Sequence, residues 1–218
     1  MVSTIQRVAT LARRATGPWA MILISLSVAG CATMDKDECL VADWRLIGFQ
    51  DGAQGKSAAA IGAYREDCAG YHVVPDLDAY QAGRREGLLQ YCVPVNGYRL
   101  GDSGHTYAAV CPAETERAFR AAYNTGRDIY LARSQVNSTH SLLHRKQQAI
   151  QSLEEDRQNK LTEMIRQGLS SDQRVRLLYD VTNIERDIHA ANHDIIALER
   201  DLEQQRAKLD YLLNNSPY

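Results

Sequence analysis

The stretch that decides the fold is residues 177–212, which read LLYDVTNIERDIHAANHDIIALERDLEQQRAKLDYL. Apolar side chains recur there in alternating steps of four and three residues over about five heptads. Only Gln205 interrupts the series. This spacing is typical of the seam of a coiled coil. The apolar seam positions are Leu177, Val181, Ile184, Ile188, Ala191, Ile195, Leu198, Leu202, Leu209 and Leu212.

A weaker seam with the same spacing precedes it, and a single stop signal at residues 168–172 separates the two. That signal, GLSSD, contains serine and aspartate residues that can cap a new helix. Folding the arms about this turn pairs residues whose numbers sum to about 341, so that apolar meets apolar at most layers. The sequence therefore predicts an antiparallel coiled-coil hairpin. The first arm contributes Ile129, Ala132, Val136, Leu143, Ile150, Leu153, Leu161 and Met164.

Two basic residues, Lys146 and Arg157, occupy seam positions of the first arm. We expect them to form salt bridges at the edge of the seam or to extend their charged ends into solvent. Alternatively, these polar positions mark a third helix or a partner chain. A two-helix seam with such defects often completes itself by association, so a protein partner and self-association both remain open.

The overall composition is that of a globular protein. The chain has 218 residues, is 44% hydrophobic and 24% charged, and has a formal net charge of −2. These values exclude a collagen, a low-complexity linker and a wholly disordered chain. The lack of a dominant basic stretch argues against nucleic-acid binding.

The N-terminus resembles a secretory signal peptide over residues 1–30. Arg7, Arg13 and Arg14 precede an apolar run at residues 19–29, which is too short for a membrane-spanning helix. An uncleaved anchor and a twin-arginine export signal are the alternatives. Removing the signal takes away three arginines and no acidic residue, which leaves a net charge of −5.

The run ends in Val28-Ala-Gly-Cys31, which resembles the lipobox of bacterial lipoproteins. In that class, the cysteine thiol carries diacylglycerol, the signal is cut just before it, and the new N-terminus is acylated. We therefore expect Cys31 to be lipidated, although an ordinary signal peptide with an incidental cysteine would look similar. Ala32 stands where an aspartate would indicate retention in the inner membrane, so the resemblance implies the inner leaflet of the outer membrane, facing the periplasm.

Four further cysteines indicate disulfide bonds, because an exported chain meets an oxidising compartment. Four cysteines allow three pairings, and the order of predicted helices is the guide. We expect helices over residues 40–52, 57–68 and 76–91, another after Pro112, and a loop or short hairpin over residues 93–107 with a turn at Asn96-Gly97. This layout favours the pairs Cys39–Cys68 and Cys92–Cys111. Because no closely spaced CxxC pair occurs, we predict no metal site and no cofactor.

Glycines and aromatics recur at helical spacing around these cysteines. One set contains Trp44, Gly48 and Gly52, and a second contains Tyr80, Gly83, Gly87 and Tyr91. Because residues four apart share one face of a helix, such glycines allow two backbones to approach closely. Helix C-caps and a ligand groove are the alternatives.

These residues resemble a family of uncharacterised bacterial lipoproteins, the domain of unknown function family 2799. The resemblance covers residues 39–130 and implies an envelope lipoprotein with no known activity. The matching positions are Cys39, Trp44, Gly48, Asp51, Gly52, Cys68, Tyr80, Gly83, Gly87, Tyr91, Cys92, Gly101, Gly104, Tyr107, Cys111 and Pro112.

Signs of catalysis are weak. Gly101-Asp-Ser103-Gly resembles the nucleophile loop of chymotrypsin-like proteases, but His105 is adjacent in sequence and the scaffold is helical. Gly55-Lys56-Ser57 lacks the first glycine of a P-loop. The two histidine pairs His140/His144 and His189/His193 fit a solvated helix face. We therefore predict that the protein is not an enzyme.

Together, these observations predict a mostly α-helical protein with four segments. They are a signal peptide (1–30), a lipidated tether (31–38), a disulfide-stapled helical domain (39–127) and a coiled-coil hairpin (128–218). The predicted function is a structural or protein-interaction module of the cell envelope. The alternative is a hydrolase, for example one acting on the cell wall, that uses the polar loop near Ser103 and His105.

Overall fold

The structure is a computed structural model that describes residues 34–218, and within them all regular elements are helices. The predicted signal peptide and Cys31 lie outside the described residues. The helices are α1 (Lys36–Leu40), α2 (Trp44–Ala53), α3 (Ala60–Ala69), α4 (Leu77–Tyr91), α5 (Pro94–Asp102), α6 (Ala113–Met164) and α7 (Ser171–Asn214). This confirms the predicted mostly α-helical fold.

Helices α2 and α4 pack side by side and run in the same direction. A Cβ atom on Gly48 would collide with the carbonyl oxygen of Tyr80, and one on Gly52 would collide with that of Arg84. Both helices begin with an aspartate cap: Asp43 accepts hydrogen bonds from two α2 amides, and Asp76 accepts one from α4. Helix α3 connects the end of α2 to the start of α4.

Both predicted disulfide bonds form. Cys39 bonds to Cys68 with a Cα–Cα distance of 5.6 Å, which ties α1 to the end of α3. Cys92 bonds to Cys111 at the same Cα–Cα distance, which ties the end of α4 to the start of α6. The pairing is as predicted, but the layout behind it is wrong at its start: Cys39 lies in the short helix α1, and the helix expected over residues 40–52 begins at Trp44, after the Asp43 cap.

The predicted loop or hairpin at residues 93–107 is wrong in its first part, because residues 94–102 form α5. Pro94 occupies the first helical turn, where its missing N–H costs nothing. Asn96-Gly97 is therefore part of a helix and forms no turn. Gly97 and Gly101 are buried against α6, whose backbone would collide with a Cβ atom at either position. Tertiary packing outweighs the local turn signal here.

Helices α5 and α6 repeat the design of α2 and α4. The spacing of Gly48, Gly52 and Gly55 in and after α2 recurs as Gly97, Gly101 and Gly104 in and after α5. We call residues 39–91 the first repeat and residues 92–130 the second repeat. Each begins with a cysteine, and each pairs a glycine-bearing helix with a parallel partner helix.

Equivalent glycines in the two repeats meet equivalent backbone atoms. A Cβ atom on Gly97 would collide with the carbonyl oxygen of Phe119, which corresponds to Tyr80 of the first repeat. The last glycine of each set has a positive φ, and its Cβ would meet a tyrosine ring, Tyr91 for Gly55 and Tyr130 for Gly104. The chain thus uses one helix-pair geometry twice.

Helices α6 and α7 form the predicted antiparallel hairpin, and three ion pairs between them show its register. The nitrogen–oxygen distances are 2.7 Å for Lys146–Asp194, 3.8 Å for Arg157–Glu185 and 3.3 Å for Lys160–Asp180. The residue numbers of each pair sum to within one of the predicted 341. Lys146 and Arg157 form salt bridges from the seam, as expected.

The ends of the hairpin are also defined. Gly168 has a φ of +87°, and Ser170 caps α7 through a capping box with Gln173. At the other end, the ring of Tyr218 stacks on that of Tyr98 in α5, with centroids 5.1 Å apart. The C-terminal part of α7 therefore reaches back to the second repeat.

Two predicted segment limits fall inside helices. The tether predicted at residues 31–38 overlaps α1, and the limit between residues 127 and 128 lies within α6, which is continuous from Ala113 to Met164. The second repeat and the hairpin are therefore joined by one helix. None of the described helices is long and apolar enough to cross a membrane.

Candidate functional site

The most distinctive polar site among the described residues is a buried carboxylate in the first repeat. Asp51 of α2 is only 2% exposed. Its oxygens accept hydrogen bonds from the Tyr64 hydroxyl at 2.9 and 3.1 Å and from the Tyr80 hydroxyl at 2.9 Å. Lys56 Nζ lies 2.8 Å from Asp51 Oδ1. We call these four residues the Asp51 network.

The Asp51 network connects three helices and the loop after α2. Asp51 lies on α2, Tyr64 on α3 and Tyr80 on α4. A buried charge is costly unless hydrogen bonds and an opposite charge satisfy it, and here two phenols and an ammonium group do so. The network therefore fixes how α3 packs across the α2–α4 pair.

The surroundings favour the protonated form of each donor. Burial, followed by the hydrogen bond to Asp51, raises the pKa of Tyr64 and that of Tyr80. The hydrogen bond to Asp51 also raises the pKa of Lys56. The carboxylate thus faces three groups that keep their protons through neutral pH. Such an arrangement suits structural support, because the carboxylate is closed off from solvent.

Part of this site carries a signal in the sequence. Asp51 and Tyr80 belong to the predicted glycine and aromatic motif, and Trp44 of that motif packs in the same core as Tyr64. Tyr64 and Lys56 were missed as partners. Tyr64 lies four residues before Cys68 and therefore shares its face of α3. That spacing was the one available signal for a buried tyrosine.

The predicted structural glycines lie where two backbones meet. Gly83 and Gly87 of α4 face the α2 carbonyl oxygens of Arg45 and Phe49, opposite Gly48 and Gly52. The motif is thus a helix–helix interface. Tyr91 serves a different purpose, since its ring lies 5.3 Å from that of Phe119 and links the two repeats.

The second repeat holds a smaller polar group at its own disulfide. The Tyr107 hydroxyl donates a hydrogen bond to Glu116 and accepts one from the Cys111 amide at 3.1 Å. Burial raises the pKa of Tyr107 to about 12, and the Tyr107 hydrogen bond lowers the pKa of Glu116. Arg120 pairs with the same carboxylate. These contacts hold the loop before α6 against that helix.

The polar loop suggested for a hydrolase brings Ser103 and His105 together. Ser103 Oγ lies 2.8 Å from His105 Nδ1 and 2.7 Å from the carbonyl oxygen of Arg99. A hydroxyl has one proton, so Ser103 donates to one of these two acceptors at a time, and the tautomer of His105 decides which. Both side chains are exposed to solvent.

The histidine pairs of the hairpin lie at its surface, and His140 lines a groove with Glu199 and Glu203. His140, His144, His189 and His193 are all exposed. In the part of the chain that the structure describes, no three His, Cys, Asp or Glu side chains are grouped as they would be around a metal ion.

Residues 43–128 match the model of a family described as Protein of unknown function (DUF2799). Over these residues the chain is similar to that family, as the resemblance in the sequence implied. The match covers α2 to α5 and about the first four turns of α6, and thus most of both repeats. No curated protein and no solved structure matches the chain.

Proposed function

We propose that the protein is a lipid-anchored module of the bacterial cell envelope that presents its helical hairpin to a protein partner in the periplasm. In this proposal, Cys31 carries the lipid and the chain lies on the inner leaflet of the outer membrane. The two repeats form a rigid base. The hairpin is the interaction surface.

Two features support the location. Residues 1–31 have the charge, the apolar run and the final cysteine of a lipoprotein signal. The two disulfide bonds fit the oxidising conditions of the periplasm.

The observation that carries the functional part is the incompletely covered seam of the hairpin. From residue 136 to residue 205, the hairpin is a two-helix rod about 40 Å long. Of its seam residues, only Val181, Ile184 and Leu202 are buried, and the others stay partly exposed. A third helix could cover these side chains, and an apolar stripe of this kind is typical of an interaction site.

Photo-cross-linking in intact cells tests this function. A photoreactive residue at Ile196 or Leu178 on the rod should give adducts heavier than the chain. The same residue at Leu89, which has similar exposure on α4, should not. Adducts that contain two copies of this chain would identify the partner as the protein itself. Equal yields at all three positions, or none, would contradict the proposal.

The anchor has its own test. Replacing Cys31 with serine removes the thiol that forms the thioether, so we expect no incorporation of labelled palmitate and accumulation of an unprocessed precursor. Palmitate that still enters this variant would contradict lipidation at Cys31.

We propose no catalytic role for Ser103 and His105, because both side chains are exposed to solvent and, within the described residues, no carboxylate hydrogen-bonds to His105 to orient it as a base. The hydrolase hypothesis predicts that Ser103→Ala abolishes a cellular phenotype that depends on this protein. Our proposal predicts that the phenotype persists in Ser103→Ala and is lost when the hairpin is disrupted by Ile184→Asp.

A further inference from the structure

Exposed apolar side chains gather around the first disulfide bond. Leu40 and Val41 directly follow Cys39, and Val41 is 82% exposed. Tyr71 and Val74 follow Cys68, and Val74 is 79% exposed. Because the Cα atoms of the two cysteines lie 5.6 Å apart, the two segments that follow them start close together. We call Leu40, Val41, Tyr71 and Val74 the disulfide face.

The disulfide face lies where the chain enters the folded domain. Met34 is buried in the core with Cys39 and Cys68, and its amide donates a hydrogen bond of 3.1 Å to Asp67. Residue 34 is therefore held in place. Cys31 precedes it by three residues, which span at most about 11 Å when fully extended.

We propose that the disulfide face rests on the surface of a zwitterionic lipid bilayer, as a second contact beside the lipid anchor. The proposal builds on the lipidation of Cys31 proposed above, because acyl chains on that cysteine would hold this end of the domain within about 11 Å of the membrane interface. Apolar side chains brought that close gain free energy by entering the boundary between headgroups and acyl chains.

The charges around the disulfide face specify the kind of bilayer. Residues 35–43 contain four acidic side chains and one lysine, and Asp76 and Asp78 lie next to Val74. An anionic surface would repel such a rim, whereas a zwitterionic one would not. The rim also distinguishes this contact from the usual attachment of basic segments to acidic lipids.

This contact would determine the orientation of the first repeat relative to the bilayer. The N-terminal ends of α2 and α4 both lie at the disulfide face, since the two helices are parallel and begin near Cys39 and Cys68. Their C-terminal ends, and α5 after them, then lie on the side away from the bilayer.

Fluorescence quenching can test the contact in the full-length lipidated protein. Trp44 begins α2 and is the only tryptophan after residue 30, so it reports on this region without any substitution. The protein is placed in phosphatidylcholine vesicles that contain a lipid with a nitroxide on its headgroup. We expect quenching of Trp44, and we expect Val41→Ser with Val74→Ser to reduce it by at least about half.

A matched control uses the far end of the hairpin. Ile165 and Val175 are 77% and 64% exposed, close to the values for the disulfide face. Replacing both with serine should leave the quenching unchanged. Vesicles of phosphatidylglycerol at low salt should give less quenching than phosphatidylcholine, and added salt should restore it.

The outcomes separate this proposal from the lipid anchor. Mass spectrometry that finds no acyl chain on Cys31, with protein that does not float with vesicles, would overturn the anchor. A second outcome would overturn the contact of the disulfide face but leave the anchor in place. In it, acylated protein floats with vesicles, and Trp44 is quenched equally in the Val41→Ser/Val74→Ser variant and in the Ile165→Ser/Val175→Ser variant.

Hydrogen exchange gives an independent check, because vesicle binding should slow exchange at residues 40–42 and 71–74 and leave residues 165–175 unchanged. Equal exchange in both segments would also overturn the contact.

Discussion

The two repeats share one backbone geometry and differ in what lies at its centre. Where the first repeat places Asp51 and Tyr80, the second places Leu100 and Phe119. The equivalent glycines nevertheless meet equivalent carbonyl groups in both. The close approach of two parallel helices therefore does not depend on the Asp51 network.

The presence of α3 accounts for this difference. In the first repeat, α3 crosses from the end of α2 to the start of α4 and supplies Tyr64 to the network. In the second repeat, residues 103–112 make the same connection without a helix. Because the second repeat has no helix equivalent to α3, the position equivalent to Asp51 needs no polar group and holds Leu100. The buried carboxylate thus serves to attach α3.

The largest expected effect comes from breaking the shared interface. Gly87→Ala places a methyl group against the Phe49 carbonyl, and Gly126→Ala does the same against the equivalent carbonyl of Tyr98. Each should lower the free energy of unfolding by about 3 kcal/mol. Thermal and urea unfolding of each variant measures the change.

The control is Gly62→Ala in α3, where a Cβ atom meets nothing within 4 Å. It should stabilise the helix by roughly 0.5–1 kcal/mol. If Gly126→Ala were tolerated as well as Gly62→Ala, the two repeats would not share one interface.

The next effect concerns the carboxylate. Asp51→Leu introduces the residue type of the second repeat but leaves two buried tyrosine hydroxyls without an acceptor, which should cost about 2 kcal/mol. Adding Tyr80→Phe removes one of those hydroxyls and should recover part of the loss. Urea unfolding of both variants and of Tyr80→Phe alone completes a double-mutant cycle. Strictly additive losses would show that Asp51 and Tyr80 act independently.

The first repeat should also make stability sensitive to alkaline pH. The pKa values of Tyr64, Tyr80 and Lys56 are raised in the folded state, so the folded protein keeps protons that the unfolded chain releases. The contribution of the two buried tyrosines is complete below about pH 10 and is lost as pH rises, by about 1.4 kcal/mol per pH unit for each proton retained. Lys56 is 45% exposed, so solvent screening makes its contribution smaller. Tyr80→Phe should reduce this slope in unfolding experiments between pH 9 and 11. An unchanged slope would place the sensitivity elsewhere.

The smallest effect is expected for the lysine of the network. Lys56 is 45% exposed, so Lys56→Gln should cost about 1 kcal/mol or less. His105 occupies the equivalent position in the second repeat and faces no buried carboxylate, so His105→Gln should be nearly neutral in the same urea titration. A larger loss for His105→Gln would reverse the assigned roles of the two positions.

The sequence predicted the hairpin well because its signal is periodic and local. A seam of heptads and one capped turn determine both helices and their register, and the ion pair Lys146–Asp194 lies within one residue of the predicted layer. The disulfide pairing was predicted from the order of the helices along the chain.

The rest depended on contacts between distant parts of the chain. Helix α5 was missed because Asn96-Gly97 is a strong turn signal, and only the close approach of α6 explains a glycine there. The repeat was not recognised in the sequence because its two halves have different spacings. Equivalent residues of α2 and α5 are 49 positions apart, whereas those of α4 and α6 are 39 positions apart. The Asp51 network was only partly visible, since no pattern in the sequence shows which tyrosine will meet a buried carboxylate.

The proposed function requires a rod that folds back on itself. Cysteines at positions 143 and 198 replace two leucines on facing layers and should cross-link within one chain under mild oxidation. A control pair at positions 143 and 184, about 21 Å further apart along the rod, should not. The chain is cleaved between the two arms, and the fragments are analysed by non-reducing electrophoresis. This distinguishes a disulfide within one chain from a disulfide between two chains. Cross-links within one chain at 143 and 198 would support the rod, whereas links only between chains would show that the arms do not pair with each other.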